Sequence, residues 1–204
     1  MSNRAIYHIT HVKNLHGIIH EGRIWSDAQR LARDLPSTNI GYNHIKERRM
    51  RHRVTVAGGG TLGNYVPFNF CPRSVMLYVV KQGHENYQEG QESIIHLVSS
   101  IHSILETNRL WFFTDRHADL GYSNQYDKLE YLNEVDWSVM PVQYWSDSEV
   151  KEKRQAEFLV HDWCPWKAIE VLGVISSTVA QQVQAMMAES PYKPKIEIHR
   201  EWYY

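Results

Sequence analysis

The sequence predicts an α+β fold, and three observations carry that prediction. Short apolar strands and amphipathic helices intermix along the chain without the regular βαβ alternation of a parallel sheet. Its 204 residues and 24.0 kDa suit one core, because chains of this size bury about 70% of their unfolded surface. A hydrophobic fraction of 43%, with 7 Trp and 12 Tyr, belongs to a chain that folds. A single domain over residues 1–204 is therefore expected.

Residues 4–10 (RAIYHIT) read as a short buried strand, since Ile6 and Ile9 are β-branched, Tyr7 is aromatic and no turn former interrupts them. Thr10 then stands as the cap of a helix over 11–22, where Val12, Leu15, Ile18 and Ile19 recur at helical spacing and Gly22 suits the stop. From 23 to 41 the periodicity is poor, and 36–39 (PSTN) reads as a loop. Residues 44–53 (HIKERRMRHR) read as a polar helix with a strongly basic face. The glycine-rich 57–64 is a turning loop, and 65–70 (YVPFNF) is a strand with Pro67 near an end or edge. The run 73–80 (RSVMLYVV) is open between helix and strand. Buried strands are expected at 93–100 and 109–114, followed by a loop-rich interval over 115–150 with a short helix near 125–132. A strand at 156–160, another near 170–176, an amphipathic helix over about 177–189 and a last strand over 195–204 (KIEIHREWYY) complete the pattern.

Lys and Arg number 22 and Asp and Glu 23, so a net charge of -1 provides no global field for a polyanion. Any nucleic-acid contact must be local. No apolar stretch approaches the roughly 18 residues of a membrane span, and the polar start Met1-Ser2-Asn3-Arg4 lacks a signal-peptide core. We expect a cytoplasmic protein with no membrane partner. Cys71 and Cys164 form no CxxC pair and read as reduced packing thiols.

The 12 histidines invite a metal reading, and His16 and His20 stand i, i+4, but there is no HExxH and no third ligand at a familiar spacing. No metal is expected. Gly58-Gly59-Gly60 lacks the lysine of a phosphate loop, and no GxSxG nucleophile is present. Three features resist a structural account. His8 and Thr10 alternate with Tyr7 and Ile9, so they share one face of a strand, although a core histidine would read the same. Lys46, Arg48, Arg49, Arg51 and Arg53 crowd one short segment, although a solvated helix face would too. Glu157 sits between Ala156 and Phe158 in an apolar strand, where a carboxylate needs either a raised pKa or a cationic partner.

The segments 6–15 (IYHITHVKNL), 47–49 (ERR), 59–62 (GGTL) with 65–68 (YVPF), 113–117 (FTDRH) and 154–160 (RQAEFLV) together resemble DarT, the toxin family of DarT–DarG toxin-antitoxin systems. The likeness runs in order from about residue 5 to Tyr204. It implies an ADP-ribosyltransferase-like fold, with twisted central β-sheets, an NAD cleft and peripheral helices. It implies a toxin that transfers ADP-ribose from NAD to thymidine bases of single-stranded DNA, releases nicotinamide and blocks replication. A DarG-type macrodomain antitoxin would reverse the mark. By the same resemblance Glu157 and Arg49 are catalytic, and His8, Thr10, Asn14, Gly17 and Arg49 bind NAD. Arg51, Arg53, Arg116, His117, Lys153 and Arg154 are the expected DNA contacts. Relatives often read His-Asp before YVPF and Tyr within PFYF, where this chain has Gly63-Asn64 and Asn69. Two rival readings stay open: a non-catalytic module that binds single strands, and a transferase that modifies RNA or protein.

Overall fold

Residues 3–204 are described by the structure, a computed structural model; Met1 and Ser2 of the polar start lie outside the described residues. In chain order the elements are β1 (Ala5–His11), α1 (Leu15–Glu21), β2 (Arg23–Trp25), α2 (Asp27–Ala32), α3 (Asn43–Arg49), β3 (Tyr65–Asn69), α4 (Val75–Gln82), β4 (Ile94–Ser100), α5 (Ile101–Leu105), β5 (Trp111–His117), β6 (Gln125–Tyr126), α6 (Ser148–Lys153), β7 (Ala156–His161), β8 (Trp163–Pro165), β9 (Val171–Val174), α7 (Ser177–Met186) and β10 (Lys195–Ile198). Eight strands form one sheet in the order β10-β9-β4-β1-β3-β7-β5-β6, and β2 pairs with β8 as a separate ribbon. All pairs are antiparallel except β9 with β10.

The sheet is weakest where the site lies. β1 meets β4 over seven registered pairs but β3 at one only, Tyr7 opposite Asn69. Pro67 of β3 has no N–H for β1, and its carbonyl instead accepts from the His8 ring at 2.8 Å. The two strands therefore splay, and a cavity opens along the split. Apolar side chains of β1, β3, β4 and β7, among them Ile6, Val66, Phe68, Ile95, Leu97, Phe158 and Val160, fill the main core. Cys71 and Cys164 are free and buried in it, and burial pushes both thiols up. This suits packing rather than nucleophilic use.

Several expected boundaries move. Thr10 caps nothing: β1 runs through His11, whose ring accepts the Lys13 N–H at 3.1 Å and starts a 3-10 turn, so α1 begins only at Leu15. Its stop at Gly22 holds, with φ of 64°. The basic helix ends at Arg49, because Leu62 and Val54 bond to His52 and Gly60 and draw 51–54 into a hairpin-like pairing. Arg51 and Arg53 thus leave the helix. The open run 73–80 is helical from Val75 on, with the Ser74 hydroxyl accepting the Leu77 N–H as its cap. In place of a helix near 125–132 the chain forms β6 and then a 3-10 turn at Leu129–Glu134. The last strand stops at Ile198 and gives way to another 3-10 turn, Arg200–Trp202.

Candidate active site

Glu157 lies on β7 directly opposite Asn69, which in turn faces Tyr7 of β1, so one row of residues crosses the split. Its side chain would be an isolated buried charge without a partner, and Arg49, the last residue of α3, provides one. The Arg49 guanidinium grips both carboxylate oxygens, Nη1 to Oε1 at 3.0 Å and Nη2 to Oε2 at 2.9 Å. The Ala118 N–H adds a third bond to Oε1 at 3.3 Å. Burial alone would raise the Glu157 carboxyl, but the guanidinium overrides it and holds the group below its ordinary range. Burial would likewise lower Arg49, and Glu157 reverses that, so Arg49 stays protonated. The cationic partner, not a raised pKa, is how this carboxylate is kept.

His117 ends β5 with Nε2 3.9 Å from Glu157. Burial lowers its pKa, against the opposing pull of Glu157, which leaves a neutral ring at the wall. Across the split, His8 is also held neutral by burial. Because the Pro67 carbonyl only accepts, Nδ1 of His8 carries the proton and Nε2 is left as an acceptor. Asn14 donates to the Thr10 hydroxyl and the Thr38 carbonyl, both at 3.0 Å, and accepts the Thr38 N–H at 2.7 Å. It ties the 35–39 loop against β1. Gly17 has open space where a Cβ would stand.

These residues, His8, Thr10, Asn14, Gly17, Arg49, His117 and Glu157, all line one cavity of about 640 Å³. That volume lies in the range of small-molecule and cofactor sites, about 300–1,000 Å³. Such a wall can do three things chemically. A carboxylate can stabilise a developing positive charge, a fixed guanidinium can stabilise a developing negative one, and two neutral imidazoles can accept hydrogen bonds.

The expected DNA contacts divide. Arg51 and Arg53 are exposed. Arg116 lies near Asp115 at 3.6 Å and Glu152 at 3.9 Å, and Lys153 pairs with Glu149 at 2.8 Å and Asp136 at 3.5 Å. Arg154 is no surface contact: it is 2% exposed, and its guanidinium donates to the carbonyls of Val139, Met140 and Arg73. It fastens the 139–140 segment, and that burial comes from distant carbonyls invisible in the local sequence.

Other site residues escaped the sequence. Asp119, with no exposed side-chain surface, pairs with Arg48 and lies 3.6 Å from His52. Consecutive arginines of α3 thus engage two different carboxylates. Asn69 lines the cavity beside Glu157 with one long bond, 3.4 Å, to the Tyr7 carbonyl. Asp27 lines it too, kept ionised by Lys46 at 3.1 Å against the opposing effect of burial. For Asn69 the signal was its standing where relatives often carry Tyr, and Asp119 offered none. Among the described residues no three His, Cys, Asp or Glu side chains are grouped to hold a metal ion.

Comparison with known proteins places this geometry. The family model described as ssDNA thymidine ADP-ribosyltransferase, DarT, matches residues 7–204. A DNA ADP-ribosyl transferase of Thermus aquaticus is 43% identical over 203 residues, 98% of this chain and 88% of that protein. The structure of Thermus sp. 2.9 DarT in complex with ADP-ribosylated ssDNA superposes with a TM-score of 0.94 at 41% identity, covering 99% of this chain and 97% of that one. The same protein in complex with NAD+ gives a TM-score of 0.89 at 38% identity, covering 100% and 99%.

Proposed function

We propose, from the premise that this chain belongs to the DarT family of ssDNA thymidine ADP-ribosyltransferases, that its cavity binds NAD and that Glu157 and Arg49 direct ADP-ribose onto thymidine in single-stranded DNA. The observation that carries this reading is the forked Arg49–Glu157 pair, set in a cavity wall across from His8 and Thr10. Thr10 and the free Nε2 of His8 are placed to hold ribose hydroxyls. Asn14 and Gly17 shape the same side of the cleft.

In the transfer, the bond from ribose C1′ to the nicotinamide nitrogen breaks and its electron pair leaves with nicotinamide. The positive charge left on the ribose is stabilised by the Glu157 carboxylate. Thymidine N3 forms the new bond to C1′ and gives up its proton. Arg49 stays protonated and cannot take it; its remaining N–H groups stabilise the anionic base through a ring carbonyl. The acceptors at hand are Glu157 and the neutral His117 ring, 3.9 Å apart. A base paired in duplex hides N3, and extruding it costs a few kcal/mol, which favours single strands.

Arg51, Arg53, Arg116 and His117 are the strand contacts in this reading, with Lys153 in a lesser, ion-paired role. Residues 1–204 act as one catalytic unit, because strands from both ends of the chain share the eight-stranded sheet. The protein acts as a toxin in the cytoplasm, countered by a DarG-type macrodomain antitoxin. Among the described residues no helix is long and apolar enough to cross a membrane.

The test is mass spectrometry after incubation with NAD. A single-stranded oligonucleotide carrying one thymidine should gain one ADP-ribosyl mass. The annealed duplex, the oligonucleotide with cytidine in that place, and an RNA of matching sequence should gain little. Modification of the duplex or the RNA in preference would overturn the reading, and no modification of any would favour a binding module.

A further inference from the structure

Away from Glu157, the β2–β8 ribbon sets Trp25 opposite Trp163, and five side chains stack along it. The Arg33 guanidinium lies 4.0 Å from the centre of the Trp25 ring. Trp25 and Trp163 meet edge-on with ring centroids 6.4 Å apart; Arg23 lies beside both, 4.8 Å from Trp25 and 4.3 Å from Trp163, and Arg109 lies 4.4 Å from Trp163. The row therefore joins two touching indoles, Trp25 and Trp163, with three guanidiniums, Arg33, Arg23 and Arg109, against their faces.

Stacking by the face fixes a guanidinium while leaving its N–H edge for other partners. Part of each edge is used internally: Arg23 donates to the Glu21 carbonyl at 3.1 Å, Arg33 to the Gln29 carbonyl at 3.2 Å and Arg109 to the His161 carbonyl at 2.8 Å. Two carboxylates flank the row. Glu21 accepts the Trp25 indole N–H at 3.1 Å, and Asp162 lies 3.9 Å from Arg109. Arg23 and Arg33 form no ion pair among the described residues. Three cations against two flanking carboxylates leave the cluster net positive, and anions spaced along a polymer match that charge.

We propose that this row is a backbone track for single-stranded DNA, taking phosphates of the strand that runs beyond the acceptor nucleotide. The track rests on the proposed transfer to single-stranded DNA. Location supports it: Arg23 and Trp25 also line the cavity that holds Glu157. β7 leads from Glu157 toward Trp163, which at about 3.3 Å per residue lies within about 20 Å of it. A few nucleotides bridge that gap. Because each indole is flanked by guanidiniums, the row binds phosphate edges rather than stacked bases, and it is indifferent to sequence.

The experiment compares oligonucleotides of about 5 and about 20 nucleotides around one thymidine, one near the lower end of single-strand site sizes of about 4–16 nucleotides and one beyond the upper end. The variants are Arg33→Gln, exposed at the end of α2, and Arg33→Gln with Arg109→Gln. The parent should show a lower KM for the long strand than for the short one. In the double variant that advantage should fall about tenfold, and the slope of log KM against log salt should shrink by roughly 1.4, about 0.7 for each phosphate no longer neutralised. Turnover of the short strand and the KM for NAD should not move, which also reports an intact fold. Should the double variant unfold, Arg33→Gln alone should give half the change in slope. An unchanged long-strand KM and salt slope, with the short strand modified normally, would overturn the track and leave the transferase reading standing. Failure to modify even the short strand in the parent would refute the transferase reading itself.

Discussion

Glu157 and Arg49 answer one another in a wall where neither charge is stable alone. Glu157 is 5% exposed and accepts both fork bonds, so removing one partner leaves the other buried and uncompensated, a change that costs about 3–5 kcal/mol in closed interiors and less beside an open cavity. Glu157→Gln should lower the transfer rate by about 10² or more, as expected for losing one charge-stabilising group. Arg49→Lys should do nearly as much, since a point charge cannot fork. Because the two act as a unit, the double variant should be no more than about tenfold slower than the worse single one. Single-turnover transfer with saturating NAD measures all three, and losses that multiply independently would show that the two residues work apart.

Among the elements, α3 matters most, because it delivers Arg49 at its last turn. Its end rests on the 3-10 turn Leu62–Asn64, where a Cβ on Gly63 would stand 3.2 Å from the Met50 Cα and closer still to the Met50 side chain. Only glycine lets that backbone in. Gly63→Ala should therefore push α3 outward, lower kcat about tenfold and cost about 1–3 kcal/mol of stability. Gly121→Ala, where a Cβ meets nothing within 4 Å, should be silent in the same assays. Equal effects of the two would show that the seating of α3 does not set the rate. The same element shows where sequence reading stops. β1, β4 and β7 were legible because their apolar runs are local, and Glu157 stood out because it interrupts one. β2 was illegible because three residues, Arg23–Trp25, become a strand only by pairing with Trp163–Pro165 far along the chain. Arg154 reads as a surface cation until Arg73, Val139 and Met140 turn their carbonyls on it. Asp119 acquires meaning only when Arg48 arrives from another element.

At the scale of the whole molecule, stability should depend on pH through histidines that folding keeps neutral. His96 sits on β4 between β1 and β9, fully buried, with Nε2 bonded to the Pro72 carbonyl at 3.0 Å and Nδ1 3.3 Å from the Tyr203 hydroxyl. Trp202 and Tyr203 close over it edge-on, so the C-terminal segment seals the centre of the sheet. Burial pushes its pKa down to about 4, whereas the unfolded chain titrates near 6.5. Between those values the unfolded state binds the extra proton, so stability is fully present above about pH 6.5 and falls as pH drops toward 4, by about 3 kcal/mol in all for one such group. His8 and His117, also lowered, act in the same direction. Glu157 and Asp27, held below the ordinary carboxylate range, add their losses only below about pH 4.3, as pH falls through their folded values. His199 is raised instead, by Glu197 and Glu201 against the effect of burial; its contribution is lost as pH rises, and it is small because those partners are exposed. Urea unfolding at intervals from pH 7 to pH 4.5 should thus show stability declining steadily with acid. His96→Phe should reduce the slope by about one proton, about 1.4 kcal/mol per pH unit, whatever its effect on absolute stability. A variant with the parental slope would place the titration elsewhere in the molecule.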